Sequence, residues 1–596
     1  MAHLLVIGSP SLDIIHIGGE TFQTMGGAGM YVGMAARRSG VDVSVFGPRP
    51  MQIPDLMILF HDRLVEWLGP EVRLEDMPRF EISHDGDTAE YLSKNTKIEG
   101  QIDPELLPED LSVYDGIHIT AMGDASVQKA FLDVCQARNA RFISMGTWRH
   151  HVTVQKAITV ELIKRADASF MNEEEARSLF GSLDMAQAQV GNTLFITLAN
   201  KGALIIQGDH RTRLPAQKVN AQDPTGAGES FCGAAVANLL LGRHPVITGM
   251  RAMILAAEVI KDIGPNALMR ADPLPEVQLD PRVEINTVQV QKISTIIKNL
   301  PDARSFDFVS EYLPPVGHPT ALDFFFAGTL QQFSFWSEAN GRYYEPMIAV
   351  IDGIRRKGSA YLYAAYNRLI DQDPLFFTPE RQTKVTEDEM RAVFRADDGT
   401  DPMPAIELHV EMANAYGRDM LALGLTPAVF IAKAQASDKP LETFVKMLDH
   451  IGGYKEDPIR KKSNLLALNI SQRPEAFLKL KENEAVAPVV DYHCMRAILR
   501  QGLVNVLDKA LKRKLANREL LSADEEWAVR IAGYQIQELV EQQSGKPIGA
   551  VDWFFFNYTR NHCPEMSDPV CAECAVDTVC AKRKELFQPV LRTTYY

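Results

Sequence analysis

The chain has 596 residues, more than one hydrophobic core usually organises, so two or more domains are expected. With 46% hydrophobic and 23% charged residues, its composition is that of an ordinary soluble globular protein. The net charge of −15 weighs against a long nucleic acid as its main ligand, and no run of about 18 apolar residues marks a membrane span.

The apolar start MAHLLVIGSPSLDIIHI is short and broken by Gly8, Ser9, Pro10 and Asp13. It reads as a buried strand and turn rather than a signal peptide, so a cytoplasmic protein is expected. Up to about residue 270, β-branched runs such as HLLVIG, VDVSVFG, YDGIHIT, ARFISMG, DASFMN, LFITLA and GALIIQG alternate with amphipathic stretches. That alternation predicts an α/β domain over 1–275, built on a mostly parallel sheet. The more openly alternating MPRFEISHDGDTAEYLSKNTKIEG predicts a small separate sheet, a lid. Pro-rich, charged residues from about Asp272 to Val288 mark an inter-domain connection, and a linker is expected over 276–300. Beyond it, helical periodicity dominates in EPMIAVIDGIRRKGSAYLYAAYNRLI, AIELHVEMANAYGRDMLAL, LETFVKMLDHI, RAILRQGLVNVLDKALKRKLA and DEEWAVRIAGYQIQELVEQQ. An all-α domain is expected over 301–596. The basic stretch KALKRKLANR reads as a solvated helix face, with phosphate contact as the sharper alternative.

Gly226-Ala227-Gly228 precede a helical pattern, where small residues let backbone N–H groups approach an anion and the helix dipole favours negative charge. Glu229 is a carboxylate placed to take a proton from an attacking hydroxyl. Together with its surroundings, DPTGAGE resembles the signature of the ribokinase-like (PfkB) carbohydrate and nucleoside kinases over residues 1–270. The resemblance extends to Gly26-Gly27, to Asp13 as the substrate aspartate, to Asn172 and Glu175 in NEEE, and to Thr197 through Gly202. It implies ATP and Mg²⁺ as partners and phosphorylation of a sugar or nucleoside hydroxyl. Thr225, Gly226, Ala227 and Gly228 are then expected on the phosphate side and Tyr31 on the acceptor side. Three positions depart from the pattern: Glu229 replaces an aspartate, Tyr31 an asparagine, and Ala199 a glycine. Glu229 keeps the base but shifts its oxygens by about 1 Å, a displacement that can cost about 10²-fold in rate.

Four of the seven cysteines, Cys563, Cys571, Cys574 and Cys580, fall in the stretch 563–580. Crowding of that kind points to zinc or an iron–sulfur cluster before disulfides. Their spacing resembles the iron–sulfur loop of the endonuclease-III-like, helix-hairpin-helix glycosylases, with seven residues in the first gap instead of six. VVDYHCMR matches the same family's V-D-x-H-x-x-R pattern, which makes Asp491 the implied catalytic carboxylate. Gly452-Gly453 stand where a hairpin turn would lie, and Lys462 in KKSNLLAL is the implied nucleophile of a lyase-type member. The resemblance implies a 4Fe–4S cluster, with Zn²⁺ as the alternative. Queuosine-type salvage hydrolases show, by analogy of fold only, that such a domain can act on nucleosides or nucleotides.

The reading the two halves share is a salvage enzyme that phosphorylates a sugar or nucleoside and cleaves an N-glycosidic bond. The alternatives are a glycosylase for a damaged or modified base of DNA carrying a degenerate kinase domain, and a kinase with a helical accessory domain.

Overall fold

The computed structural model describes residues 2–85, 88–217, 219–270, 280–301, 303–482 and 484–596. They fall into two compact units, Met1–Val277 and Gln278–Tyr596.

The first unit is built on a sheet of β1 (His3–Ile7), β4 (Asp42–Phe46), β5 (Glu66–Leu68), β8 (Gly116–Ile119), β9 (Ile143–Gly146), β10 (Ala168–Asn172), β11 (Thr193–Thr197), β12 (Ala203–Gln207) and β13 (His210–Leu214). Its spatial order is β13-β12-β11-β10-β9-β8-β1-β4-β5. All neighbours are parallel except β11/β12 and β12/β13. Strands such as HLLVI are apolar throughout because helices cover both faces. Leu4 and Val6 join one core with Met30 and Met34, while Leu5 and Ile7 join the opposite core with Phe131. Each fully buried Leu or Ile contributes about 1.5–3 kcal/mol to the fold.

A second, four-stranded sheet holds β2 (Ser11–Ile17), β3 (Glu20–Gly26), β6 (Arg79–Asp85) and β7 (Thr88–Asn95) in the order β3-β2-β6-β7. The expected lid is half of it, since β2 and β3 supply the other half. Three helices carry or support candidate site residues: α1 (Ala28–Arg38), α2 (Glu173–Phe180) and α3 (Ala227–Leu240). α1 packs on α3 through Gly233, where a Cβ would lie 2.1 Å from Val32 O.

The expected linker needs correction. Residues 271–279 lie outside the described residues, but β14 (Val283–Ile285) and α4 (Thr287–Asn299) come directly after them. β14 pairs with β19 (Val504–Val506), so this stretch belongs to the second unit.

That unit is rich in helices, including α5 (Lys461–Gln472), α6 (Tyr492–Gln501), α7 (Ala523–Ser544) and α8 (Ile548–His562). It is not all-α. β15 (Trp336–Ala339) and β16 (Arg342–Pro346) form one hairpin, β17 (Ile348–Ile351) and β18 (Ile354–Lys357) another. Their turns are Asn340-Gly341 and Asp352-Gly353, with φ of 53 and 68° and of 52 and 72°. Two consecutive positive φ values make the tight turn whose twist matches paired strands, and Asn-Gly and Asp-Gly adopt it readily. The IAVIDGIRRK segment therefore folds as a hairpin although its apolar spacing also fits a helix.

Candidate active sites

In the first unit, Asp13 on β2 is buried and accepts a hydrogen bond from Phe80 N at 3.2 Å. Burial pushes its carboxyl up to about 7. A Cβ on Gly26 would lie 1.7 Å from Asp13 Oδ2, and one on Gly27 (φ +85°) 2.4 Å from Ser9 O. The glycine pair is what lets the chain pass this carboxylate. Tyr31 on α1 lays its ring against Gly226, where a Cβ would meet it at 2.3 Å. Its hydroxyl is buried without a hydrogen-bond partner. Burial, then the charges of Asp223, Asp13 and Glu229, raise it well above the ordinary phenol range. The charges of three carboxylates therefore reach an orphan phenol, which a ligand hydroxyl could satisfy.

α3 begins at Gly226 with φ +74°, and Glu229 lies in its first turn. Space is open where a Cβ of Gly228 would stand, so the head of the helix can be approached closely. Thr225 N donates to Asp223 Oδ1 at 2.9 Å and Gly264 N to Oδ2 at 2.8 Å, which fixes the loop leading into Ala227. Burial raises Glu229. Glu175 closes a capping box with Asn172 at the start of α2, and its Oε2 also accepts from Thr147 Oγ1 at 2.9 Å. Burial, opposed by those bonds and reinforced by Glu229, brings it to about 7. Thr197 on β11 pairs with Asn172 on β10. At Gly202 (φ +100°) a Cβ would lie 1.9 Å from Leu214 O, while Ala199 holds φ +51° in the same turn. Sequence reasoning missed Glu99, which burial pushes up to about 7 beside Ser9 and the Gly123 amide. It carries no motif that would have marked it.

In the second unit, Asp491 caps α6, its Oδ1 accepting from His493 N at 2.8 Å and Cys494 N at 3.0 Å. Burial raises its pKa, and Lys461 is the first of the groups that work against this. Lys461, at the start of α5, is itself buried and donates to Gln332 O at 3.3 Å. Burial lowers its pKa; Asp491 and Asp552 act in the other direction. Asp552 on α8 is raised well above the carboxylate range by burial and then by Asp491. Lys461 and Asp491 thus act on each other's charge, and Asp491 and Lys461 both act on Asp552.

The lysine in the field of Asp491 is Lys461, the neighbour of the expected Lys462. Lys462 Nζ donates to Leu330 O at 3.0 Å and stands 5.0 Å above the Phe333 ring. Burial pulls it down to about 7, and the charges acting on it belong to Glu456, Lys461, Asp457 and Arg530. Lys455 pairs with Asp419 at 2.8 Å, and Gly453 has φ +88°. The basic helix Lys509–Asn517 buries Leu511 and Leu515, and its Lys514 pairs with Glu525 at 2.8 Å.

Cys563, Cys571, Cys574 and Cys580 are half-buried free thiols that line one cavity with Arg500, Asp577 and Lys582. Cys563 Sγ accepts from Arg500 Nη1 at 3.3 Å and Cys580 Sγ from Lys582 N at 3.3 Å. Among the described residues, no three His, Cys, Asp or Glu side chains form a group set to hold a metal ion as they stand. No described helix is long and apolar enough to cross a membrane.

Residues 75–272 match the pfkB family carbohydrate kinase model, and residues 313–573 match that of the queuosine salvage protein. A pfkB kinase domain and a queuosine salvage domain share this chain. The chain is 23% identical to the queuosine 5′-phosphate N-glycosylase/hydrolase of Bos taurus over 284 residues, 43% of this chain and 81% of that protein. It is also 23% identical to the cytidine kinase of Thermococcus kodakarensis over 273 residues, 44% of this chain and 98% of that one. Among solved structures, the adenosine kinase of Sinorhizobium meliloti is 18% identical over 46% of this chain and 97% of its own, with a TM-score of 0.39. The salvage-domain match contains Lys461, Asp491 and Asp552, and it ends before Cys574 and Cys580.

Proposed function

We propose that the chain phosphorylates a nucleoside at the expense of ATP and then hydrolyses the N-glycosidic bond of the resulting nucleoside 5′-phosphate. The base and ribose 5-phosphate are the products. The observation that carries this reading is Asp491, held by the His493 and Cys494 amides at the head of α6 and in the field of Lys461, inside a domain similar to a queuosine 5′-phosphate N-glycosylase/hydrolase. A kinase on the same chain makes the phosphate ester that such a hydrolase consumes.

In the kinase step Glu229 takes the proton of the acceptor hydroxyl, whose oxygen forms a bond to the γ-phosphorus as the bond to ADP breaks. Asp13 and Tyr31 hold the acceptor, and the head of α3 receives the phosphates. Magnesium is assigned beside Glu175 and Asn172, because burial and then the charge of Glu229 raise the Glu175 carboxyl and a cation there would relieve it.

In the hydrolytic step the environments of Asp491 and Asp552 divide the two roles. Asp552, pushed up furthest, holds a proton and gives it to the departing base as the C1′–N bond breaks. Asp491, held by two amide donors and Lys461, stabilises positive charge at C1′ and takes a proton from the water that bonds there. Lys461 supports the ionised form of Asp491 and needs no covalent intermediate. The helices around Gly452-Gly453 are the support for a helix-hairpin-helix reading of this unit. Cys563, Cys571, Cys574 and Cys580 line one cavity as half-buried free thiols and form no ligand group as they stand, so neither reaction is routed through an iron–sulfur cluster or zinc there.

The test uses ATP–Mg²⁺, a panel of nucleosides and mass spectrometry of all products. Asp491→Asn should abolish base release and leave phosphorylation intact. Glu229→Gln should lower phosphorylation by at least about 10²-fold, and base release from a nucleoside with it. Supplying the nucleoside 5′-phosphate should restore base release to that variant. Base release from the free nucleoside at an undiminished rate in Glu229→Gln would refute the proposed order.

A further inference from the structure

Helix α7 turns one face toward the chain on which Asp491 stands. Arg530, Gly533 and Gln537 follow one another at three and four residues, so they share that face. Gln537 Nε2 donates to Val489 O at 2.8 Å and to Cys494 Sγ at 3.1 Å, and Arg530 Nε donates to Val490 O at 3.4 Å. Between them, a Cβ on Gly533 would lie 3.1 Å from Val490 Cγ1, so the glycine lets the helix come close. These bonds satisfy the two carbonyls that precede Asp491, in a stretch that is neither helix nor strand.

The same guanidinium also reaches the start of α5. Arg530 Nη2 donates to Asp457 Oδ2 at 2.6 Å, and that oxygen accepts a second bond from Lys461 N at 2.6 Å, while Oδ1 accepts from Ile459 N at 3.1 Å. Arg530 and Asp457 are fully buried. The Tyr595 and Tyr596 rings stand 5.1 and 5.0 Å from the guanidinium carbon, and Ser334 N donates to Tyr596 O at 3.2 Å. A buried ion pair is seldom a net gain in stability, because both charges lose their water. Among the described residues, Arg530 Nη1 has no hydrogen-bond partner, and neither has Glu526 Oε1, 3.7 Å from Arg530 Nε. What the pair does supply is a fixed link. One guanidinium spans from the residue before Asp491 to the carboxylate that holds the amide of Lys461.

We propose that Arg530 is a positioning residue that holds Lys461 and Asp491 within each other's field. It touches neither side chain: it acts on Lys461 through Asp457 and on Asp491 through the Val490 carbonyl, with Gln537 fixing the carbonyl before that. Its consequence for base release rests on the hydrolytic reading above; the link itself does not. The role is specific to arginine. A guanidinium offers a rigid fork of N–H donors that can serve both ends at once, whereas a lysine amine keeps the charge beside Asp457 as a single point and loses the fork.

Arg530→Lys in the whole chain separates position from charge balance. Given a nucleoside 5′-phosphate directly, this variant should lose at least about tenfold in kcat while KM stays within about threefold of the parent. Gln537→Leu, which spares the ion pair but releases the Val489 carbonyl, should show the same split at a smaller size, so the test survives if Arg530→Lys fails to fold. A second readout needs no reaction. In protein with ¹³C-labelled lysine side chains, the Lys461 signal, assigned by its loss in Lys461→Met, should shift on Asp491→Asn. In the Arg530→Lys or Gln537→Leu background that shift should fall by about half or more, because the amine and the carboxylate are no longer held together. Parent-like kcat in both variants, a loss confined to KM, or an undiminished response of Lys461 to Asp491→Asn would each overturn the proposal. If the parent protein releases no base, the hydrolytic reading falls, and the lysine signal still decides the positioning.

Discussion

Lys461 and Lys462 are neighbours in sequence, yet one residue along a helix turns a side chain by about 100°. That rotation separates their surroundings: Lys461 lies in the field of Asp491 and Asp552, while Lys462 sits over Phe333. Sequence spacing pointed to Lys462, whereas the lysine in the field of Asp491 is its neighbour Lys461, because the phase of α5 against α6 is set by packing that no local pattern encodes. Lys461→Met should reduce base release by about 10²-fold or more, since Asp491 loses the charge that keeps it ionised. Lys462→Met should stay within about threefold of the parent and unfold at a higher temperature, because an amine buried against an aromatic ring is replaced by an apolar chain of similar shape. Initial rates of base release and thermal unfolding of the two variants check this, and a larger catalytic loss at Lys462 would contradict it. Asp552 escaped notice for a related reason. An aspartate near the start of a helix reads as a favourable charge for the helix dipole, and only the fold shows it beside a second carboxylate.

The turn between β11 and β12 shows how an element can keep a backbone requirement after the residue that eases it is gone. The pfkB-like pattern leads one to expect glycine at Ala199, and the backbone there still takes φ +51°. A left-handed conformation costs a non-glycine residue about 1–2 kcal/mol, partly offset by the lower entropy loss of alanine on folding. Ala199→Gly should therefore stabilise the first unit by about 0.5–1 kcal/mol in urea unfolding, and a loss of stability would show the turn to be held by something else. Elements whose local signals agree were legible: the parallel strands by their apolar runs, and α3 by the helical pattern that follows Gly226-Ala227-Gly228. The β17/β18 hairpin was not. Its apolar residues fit a helical period, and Asp352-Gly353 outweighs that period with a turn chemistry of its own. The strand β14 escaped in the same way, since three residues that pair with a partner more than 200 positions away leave no local trace.

At the scale of the molecule, matches to a carbohydrate kinase model and to a queuosine salvage model on one chain invite the question of whether one half feeds the other. The relatives frame it: one acts on queuosine 5′-phosphate, the other is a cytidine kinase. Both halves were recognisable from short motifs because a glycine-flanked helix start and an aspartate that caps a helix are local features. Which base the proposed reactions would take is not a local feature, since recognition depends on surfaces assembled from distant segments. The order of the two reactions is the central claim, and isotope transfer tests it most directly. Wild-type protein would be given a nucleoside together with ATP carrying ¹⁸O in its γ-phosphate, and the sugar product analysed by mass spectrometry. Released base accompanied by ribose 5-phosphate bearing the labelled phosphoryl group is the expected result; released base accompanied by free ribose would contradict it.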